Sequence, residues 1–325
     1  MAMADRCSIE DAVGMRAVNA MKGAFVADAA SMGLHWIYDA NKIKELTGKD
    51  GAQQKDAAFF EPPSCPFYSY KSGQFSPYGA ECMGVLQGLT SVEPFDPQTF
   101  SEGYAKYLKA YSGRLNHASK ELIANIEQGK KFPACGADDA QANSLVKVPV
   151  AVARFLGEDN WPARVEEVIR SHQNNDVAVM YGIASAHILH RILTTGGTPR
   201  EAVEWASNDS SPLANEARLK LREAISYAAA HDAVEAASHW GSSCRLPGAF
   251  LVSVHVMLNS KTYQEAIRTN IMASGDQCSR GCFIGACMAA ASGGESIPPS
   301  WVVKVDDFDD VANLSDKLMK CGKAH

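Results

Sequence analysis

One stretch constrains this chain more than any other: Ala273-Ser274-Gly275-Asp276-Gln277-Cys278-Ser279-Arg280-Gly281-Cys282-Phe283-Ile284-Gly285-Ala286. Gly275 supplies a turn and Asp276 stands where a helix start is capped. Gly285-Ala286-Cys287-Met288-Ala289-Ala290 then offers side chains small enough for close helix packing. A carboxylate heading so apolar a helix is costly to bury unless it meets a donor or a cation. Two readings of Asp276 stand open: a cap on its own helix, or a metal ligand. Arg280, one turn further on, is placed to balance the same charge and remove the need for metal.

A second segment has the same character. Ala20, Gly23, Ala24, Ala27, Ala29 and Ala30 give a helix that contacts neighbours on more than one side, so it is expected to be central, with Ser8 as its cap. Asp28 lies inside that apolar run. It is either a site residue or the partner of a core arginine or amide.

Residues 36–80 read as irregular, broken by Pro62, Pro63, Pro66, Gly73, Pro77 and Gly79, yet dense in aromatics. A long ordered loop of this kind covers a site or an interface. Helical periodicity returns at Glu81, which this reading takes as the start of a helix. Asp96-Pro97 opens another, and apolar stripes run through Leu122–Ile126, Leu145–Leu156, Val165–Ile169 and Val177–Leu193. Thr198-Pro199-Arg200-Glu201 and Thr262-Tyr263-Gln264-Glu265 are capping boxes. An Ala-rich helix is expected over 214–236, and a last one near Trp301. Val252–Val256 alternates, but its neighbours look helical. The expectation is an all-α fold, one domain over 1–325, without repeats.

Composition excludes more than it assigns. Of 325 residues 46% are hydrophobic and 21% charged, and the net charge of -6 argues against nucleic-acid or anionic-membrane surfaces. No uncharged apolar run reaches the ~18–20 residues of a membrane span, and the N-terminus lacks a long apolar signal core, so a cytoplasmic location is expected. Nine scattered cysteines without a CxxC pair read as reduced thiols. Cys278 and Cys282 share a helix face, but no further metal ligands stand nearby in sequence. Asp138-Asp139 follows Cys135-Gly136 in a turn, read either as solvated or as lining a site. The polar run His172–Asp176 reads as punctuation between helices, and His187 and His190 as core histidines.

Taken together, Gly23-Ala24-Phe25-Val26-Ala27-Asp28-Ala29, Gly73-Gln74-Phe75-Ser76 and Gly275-Asp276-Gln277-Cys278-Ser279 resemble, in order and spacing, three signatures of the ADP-ribosylglycohydrolase family. Tyr78-Gly79, Leu246-Pro247-Gly248-Ala249-Phe250 and Gly275-Asp276-Gln277-Cys278-Ser279-Arg280-Gly281 resemble the subgroup that contains the J-type crystallins of jellyfish eye lenses. The resemblance implies a compact helical domain whose cleft, in active members, holds a pair of magnesium ions.

The departures set the functional expectation. Magnesium takes carboxylate and water oxygens in near-octahedral geometry. Where the family carries a second aspartate in its late motif, this chain has Cys278, and a thiol is a poor magnesium ligand. Ser279 and Ser76 keep hydroxyls, but the paired aspartates after Ser76 are replaced by Pro77 and Tyr78. Asp276 is the one metal-ligand candidate. The candidates for the ancestral cleft are Asp28, Ser76, Tyr78, Glu81, Asp138, Asp139, Asp276 and Ser279, with no catalytic residue assigned. The expectation is a structural eye-lens crystallin without a cofactor, self-associating at most at high concentration. The alternatives are a magnesium-dependent ADP-ribosyl glycohydrolase and a non-catalytic ADP-ribose-binding module.

Overall fold

The computed structural model describes residues 3–48, 54–292 and 296–321. In chain order the helices are α1 (Met3–Met32), α2 (Ala40–Leu46), α3 (Pro77–Ser91), α4 (Pro97–Ala110), α5 (His117–Glu127), α6 (Asn143–Arg154), α7 (Trp161–Arg170) and α8 (Asp176–Thr195). They continue with α9 (Pro199–Ser207), α10 (Asn215–Ala228), α11 (Ala233–Trp240), α12 (Gly248–Asn259), α13 (Tyr263–Met272), α14 (Gln277–Ser292), α15 (Pro299–Val302) and α16 (Phe308–Cys321). Among the described residues β structure is confined to two isolated bridges, Ala137 with Gln173 and Gln141 with Arg245. The all-α expectation holds.

The centre of the molecule is the crossing of α1 and α14, each the other's principal partner. It is made possible by small residues. A Cβ on Gly23 would overlap Ala289 and the Gly285 carbonyl, and a Cβ on Gly285 would overlap Ala27 and the Gly23 carbonyl. The backbones therefore meet without intervening side chains, and α14 is buried on every face from Cys278 to Ala290. Helices α6, α8, α12 and α13 close around α14, while α16 covers α1 and α3.

Local signals set most of the helix ends. Thr198 and Glu201 form the expected capping box on α9. Thr262 caps α13 by accepting from Glu265 N–H, but the Glu265 carboxylate reaches back to Lys261 N–H instead of completing the box. Asn175 caps α8, so the polar run before it is punctuation.

Several expectations are corrected. Helix α1 begins at Met3, ahead of Ser8, because the intervening residues are acceptable helix formers; the Ser8 side chain lies outside the described residues. The segment expected to be irregular contains α2, capped by Asp39. Helix α3 starts at Pro77 rather than Glu81, with Ser76 as its cap. The Ala-rich stretch is two helices, because Asp232 and Glu235 form a capping box that restarts the chain. The last helix is the amphipathic α16, beyond the short α15 at Trp301. Helix α8 is long and apolar enough by length and composition to cross a membrane, contrary to expectation, but most of it is buried inside the protein.

Candidate functional site

The loop after α1 and the turn before α14 are laced together. Trp36 N–H donates to Gly275 O at 2.8 Å and Gly275 N–H donates back to Ile37 O at 2.7 Å. Gly275 has φ +80°, and a Cβ there would overlap the Ser242 carbonyl, so glycine is required. Trp36 and Ser274 also sit in the left-handed region, at φ 61° and 67°, without being glycine. Such backbone strain persists only where the surroundings over-determine it.

That strained turn delivers Trp36 to Asp276. The indole Nε1–H donates to Asp276 Oδ1 at 2.8 Å. The Ser279 hydroxyl donates to Oδ2 through a short bond, and the Tyr78 hydroxyl lies near enough to help hold the carboxylate's charge. Asp276 stands at the N-terminus of α14, as a cap would, yet its carboxylate is engaged by side chains. His35 accepts Cys278 N–H at Nδ1 (3.2 Å), which places its proton on Nε2, 3.5 Å from Asp276 Oδ1. Burial and the nearby Arg280 charge hold His35 well below its ordinary pKa, so it is neutral and this is not an ion pair.

Arg280 is fully buried but makes no ion pair with Asp276. It donates to Asn270 Oδ1 at 2.9 Å, Ser242 O at 3.3 Å, Asn270 O at 3.5 Å and, more closely, Ser274 O. Its charge acts on Asp276 through space: burial pushes Asp276 up, the Ser279 bond and Arg280 hold it down, and burial brings Arg280 to about 10. The expected balance is present, but as a field rather than a contact.

Asp28 belongs to the same buried cluster, within electrostatic reach of Asp276 and also with no exposed surface. Ser76 meets it twice, N–H to Oδ2 at 2.8 Å and Oγ–H to Oδ1 at 2.6 Å. The Ser76 oxygen accepts in turn from Tyr78 and Gly79 N–H, so the first turn of α3 is organised around this carboxylate. Any Cβ at Gly79 would overlap Asp28 Oδ2. The face shared by Cys278 and Cys282 points here: their thiols approach Asp28 O at 3.6 Å and Asp28 Oδ1 at 3.9 Å. Burial raises both thiols well above their ordinary range, so they are protonated. Asp28 is thus bound to a cap serine and two thiols, not to the core arginine or amide considered as one alternative.

Glu81 has its own partners. Asn116 and Ser119 donate to Oε1, Ser119 at 2.6 Å, and Asn143 donates to Oε2 at 2.8 Å. Lys147, fully buried nearby, donates to Asn143 O and Gln173 Oε1, and burial lowers it to about 8. Asp138 is exposed and accepts from Asn175, as a solvated turn residue would. Its neighbour Asp139 is buried and accepts from His117 and Gln141. His190 stacks on Trp161, and His187 packs edge-on against the same ring. His172 is buried against Ser119.

The structure brings together Asp28, Ser76, Tyr78, Asp276 and Ser279. It adds His35, Trp36, Tyr68 and Gln277, which sequence reasoning left in the loop or passed over. Gln277 accepts Trp36 N–H and donates to Leu34 O, and Tyr68 packs on both His35 and Trp36. The available signal was the pair His35-Trp36 directly after the helix that carries Asp28. Among the described residues no group of three or more His, Cys, Asp or Glu side chains is placed to hold a metal ion.

The buried Asp28 carboxyl sets a pH dependence. Burial raises it from 3.8 to about 7 despite the Ser76 bonds. The folded state therefore holds a proton that the unfolded chain has released. The stabilisation is complete below the unfolded pKa and is lost as pH rises through the folded one. Stability is expected to fall by a few kcal/mol, order of magnitude, between about pH 4 and 7. Asp28→Asn should make that slope shallower in denaturant titrations across pH, leaving the same-sign contributions of buried Asp276 and Glu81. An unchanged slope would remove Asp28 as its source.

Residues 10–324 match the family model described as ADP-ribosylglycohydrolase. The chain belongs to the ADP-ribosylglycohydrolase family. Two relatives within reach are crystallins of the jellyfish Tripedalia cystophora. Crystallin J1A is 26% identical over 324 residues, covering 95% of this chain and 97% of that protein. Crystallin J1B is 23% identical over 327 residues, with the same coverage. Among solved structures, an ADP-ribosylglycohydrolase-related protein complex superposes with a TM-score of 0.69 at 15% identity, over 96% of this chain and 99% of that one. That likeness speaks for the fold. In the family's frame, Ser76 and Asp276 stand at the heads of α3 and α14 and face Asp28 on α1.

Proposed function

We propose that this chain is a structural, lens-type crystallin on an ADP-ribosylglycohydrolase scaffold, a single domain without hydrolase activity and without bound magnesium. One observation carries the reading: the oxygens of Asp276 already accept from Trp36 and Ser279, and those of Asp28 from Ser76, with no exposed surface on Asp28, Ser76, Asp276 or Ser279. Two divalent cations need several carboxylates and room for waters. The residues present offer two buried carboxyls, both raised by burial, beside protonated thiols. They do not fit the pair.

The similarity to two jellyfish crystallins along nearly the whole chain supports the lens role. So does the architecture. A helical domain satisfies its backbone internally and presents few strand edges to template aggregation, and net charge of -6 adds repulsion between copies at high concentration. A cytoplasmic place in lens cells, no nucleic-acid or membrane partner, and self-association only at high concentration belong to the same proposal.

Isothermal titration of the full chain with magnesium and with ADP-ribose should give flat traces for both. Binding of ADP-ribose that survives chelator would identify a binding module instead. Magnesium-dependent binding with turnover of an ADP-ribosylated substrate would identify a hydrolase.

A further inference from the structure

A cavity of about 480 Å³ opens beside α3, bounded by the loop that precedes it, the end of α4 and the turn into α16. One wall is aromatic: Tyr70, Tyr107 and Tyr111, all half-buried. The opposite rim is acidic: Asp306, Asp307 and Asp310, all exposed. No basic side chain lines it, and none of the three carboxylates forms an ion pair among the described residues. Elsewhere on this surface acids are commonly paired, as Glu102 is with Lys131 and Asp56 with Arg268.

The walls are held in place before any ligand arrives. The Tyr70 and Tyr111 hydroxyls bond each other at 3.2 Å, and Tyr70 also accepts Arg114 N–H at 2.7 Å. Asp306 N–H donates to Gly73 O at 2.9 Å, tying the acidic turn to the loop that carries Tyr70. Gly73 has φ +95°, and a Cβ there would overlap the Lys304 carbonyl, so the two segments meet backbone to backbone.

Ring faces attract a cation whose charge is spread over apolar carbons, and carboxylates at the rim neutralise that charge. A bare metal ion would gain from the acids but nothing from the rings. A neutral apolar group would gain from the rings but nothing from the acids. From this pairing of rings with unpaired carboxylates in one cavity we propose that it is a binding site for an alkylammonium cation. The site shares no lining residue with the Asp28–Asp276 cluster and does not depend on how that cluster is read.

The test is calorimetric titration of the full chain with choline and with its neutral isostere 3,3-dimethylbutan-1-ol. Choline should bind, and the isostere should bind at least about tenfold more weakly. Asp310→Asn, an exposed change that leaves the fold intact, should weaken choline several-fold. Tyr107→Leu should weaken it about tenfold, while Tyr107→Phe, which keeps the ring, should not. The proposal is overturned by no heat with choline at millimolar concentration, by equal binding of the isostere, or by choline binding that Asp310→Asn abolishes and that the folded Tyr107→Leu protein retains in full. That last outcome would describe a diffuse acidic patch.

Discussion

Arg280→Met is expected to destabilise the protein by about 3–5 kcal/mol, the range for removing one charge from a buried network. The guanidinium satisfies the Asn270 side chain and the carbonyls of Asn270 and Ser274, all buried, and also reaches the half-buried Ser242 carbonyl, which keeps its bond from Asp276 N–H when Arg280 is gone. It also supplies the positive field that holds Asp276 down against burial. Methionine keeps much of the volume, so the loss reads out hydrogen bonds and charge rather than a cavity. Chemical denaturation at neutral pH checks it. A midpoint within error of the parent protein would mean the Ser274–Gly275 turn holds Trp36 in place unaided.

Gly285→Leu should be at least as damaging, about 3 kcal/mol or more, with loss of soluble expression a natural consequence. The new side chain would have to occupy the space of the Gly23 backbone and the Ala27 methyl, and neither is the movable end of a flexible chain. Helices α1 and α14 would be pried apart, and they carry Asp28 and Asp276. The control is Gly14→Ala on α1, the other helix of the crossing, where an added Cβ meets nothing within 4 Å. It should be neutral or slightly stabilising. Thermal unfolding of the two variants separates close approach from helix propensity; equal midpoints would refute the packing argument.

What could be read from the chain alone follows the range of the interactions. Gly275, the Thr198 capping box and the small-residue stripes of α1 and α14 announce themselves, because a turn, a cap and a close helix crossing each depend on a few neighbouring residues. Helix α16 is equally local, but Pro298-Pro299 draws the expected last helix forward to Trp301. The break at Asp232 was overrun because alanines on both sides suit a continuous helix, and only the capping box shows that the chain restarts. The start of α3 lies one turn ahead of Glu81 because Ser76-Pro77 is a cap and first helical position set in a proline-broken loop, while the partners of Glu81, Asn116, Ser119 and Asn143, are brought from elsewhere by the fold.

Around Asp28 and Asp276, the absence of carboxylates at Pro77, Tyr78 and Cys278 is legible from the sequence. The partners that Asp276 meets instead are not. Trp36 reaches Asp276 across 240 positions, through a left-handed backbone that no local pattern in an aromatic-rich loop would disclose. The expectation that Arg280 would answer Asp276 had the right charge but the wrong geometry. Short-range logic pairs residues one turn apart, whereas the fold spends the guanidinium on the carbonyls of the turn.

On the proposed function, protein donors take up the carboxylate oxygens that a cation pair would need. A crystal structure of the full chain soaked in manganese, an electron-dense substitute for magnesium, tests it most directly. The prediction is no anomalous peak near Asp28 or Asp276, with the Trp36 indole still donating to Asp276. Two ordered metal peaks bridging those carboxylates, with Trp36 swung away, would contradict it.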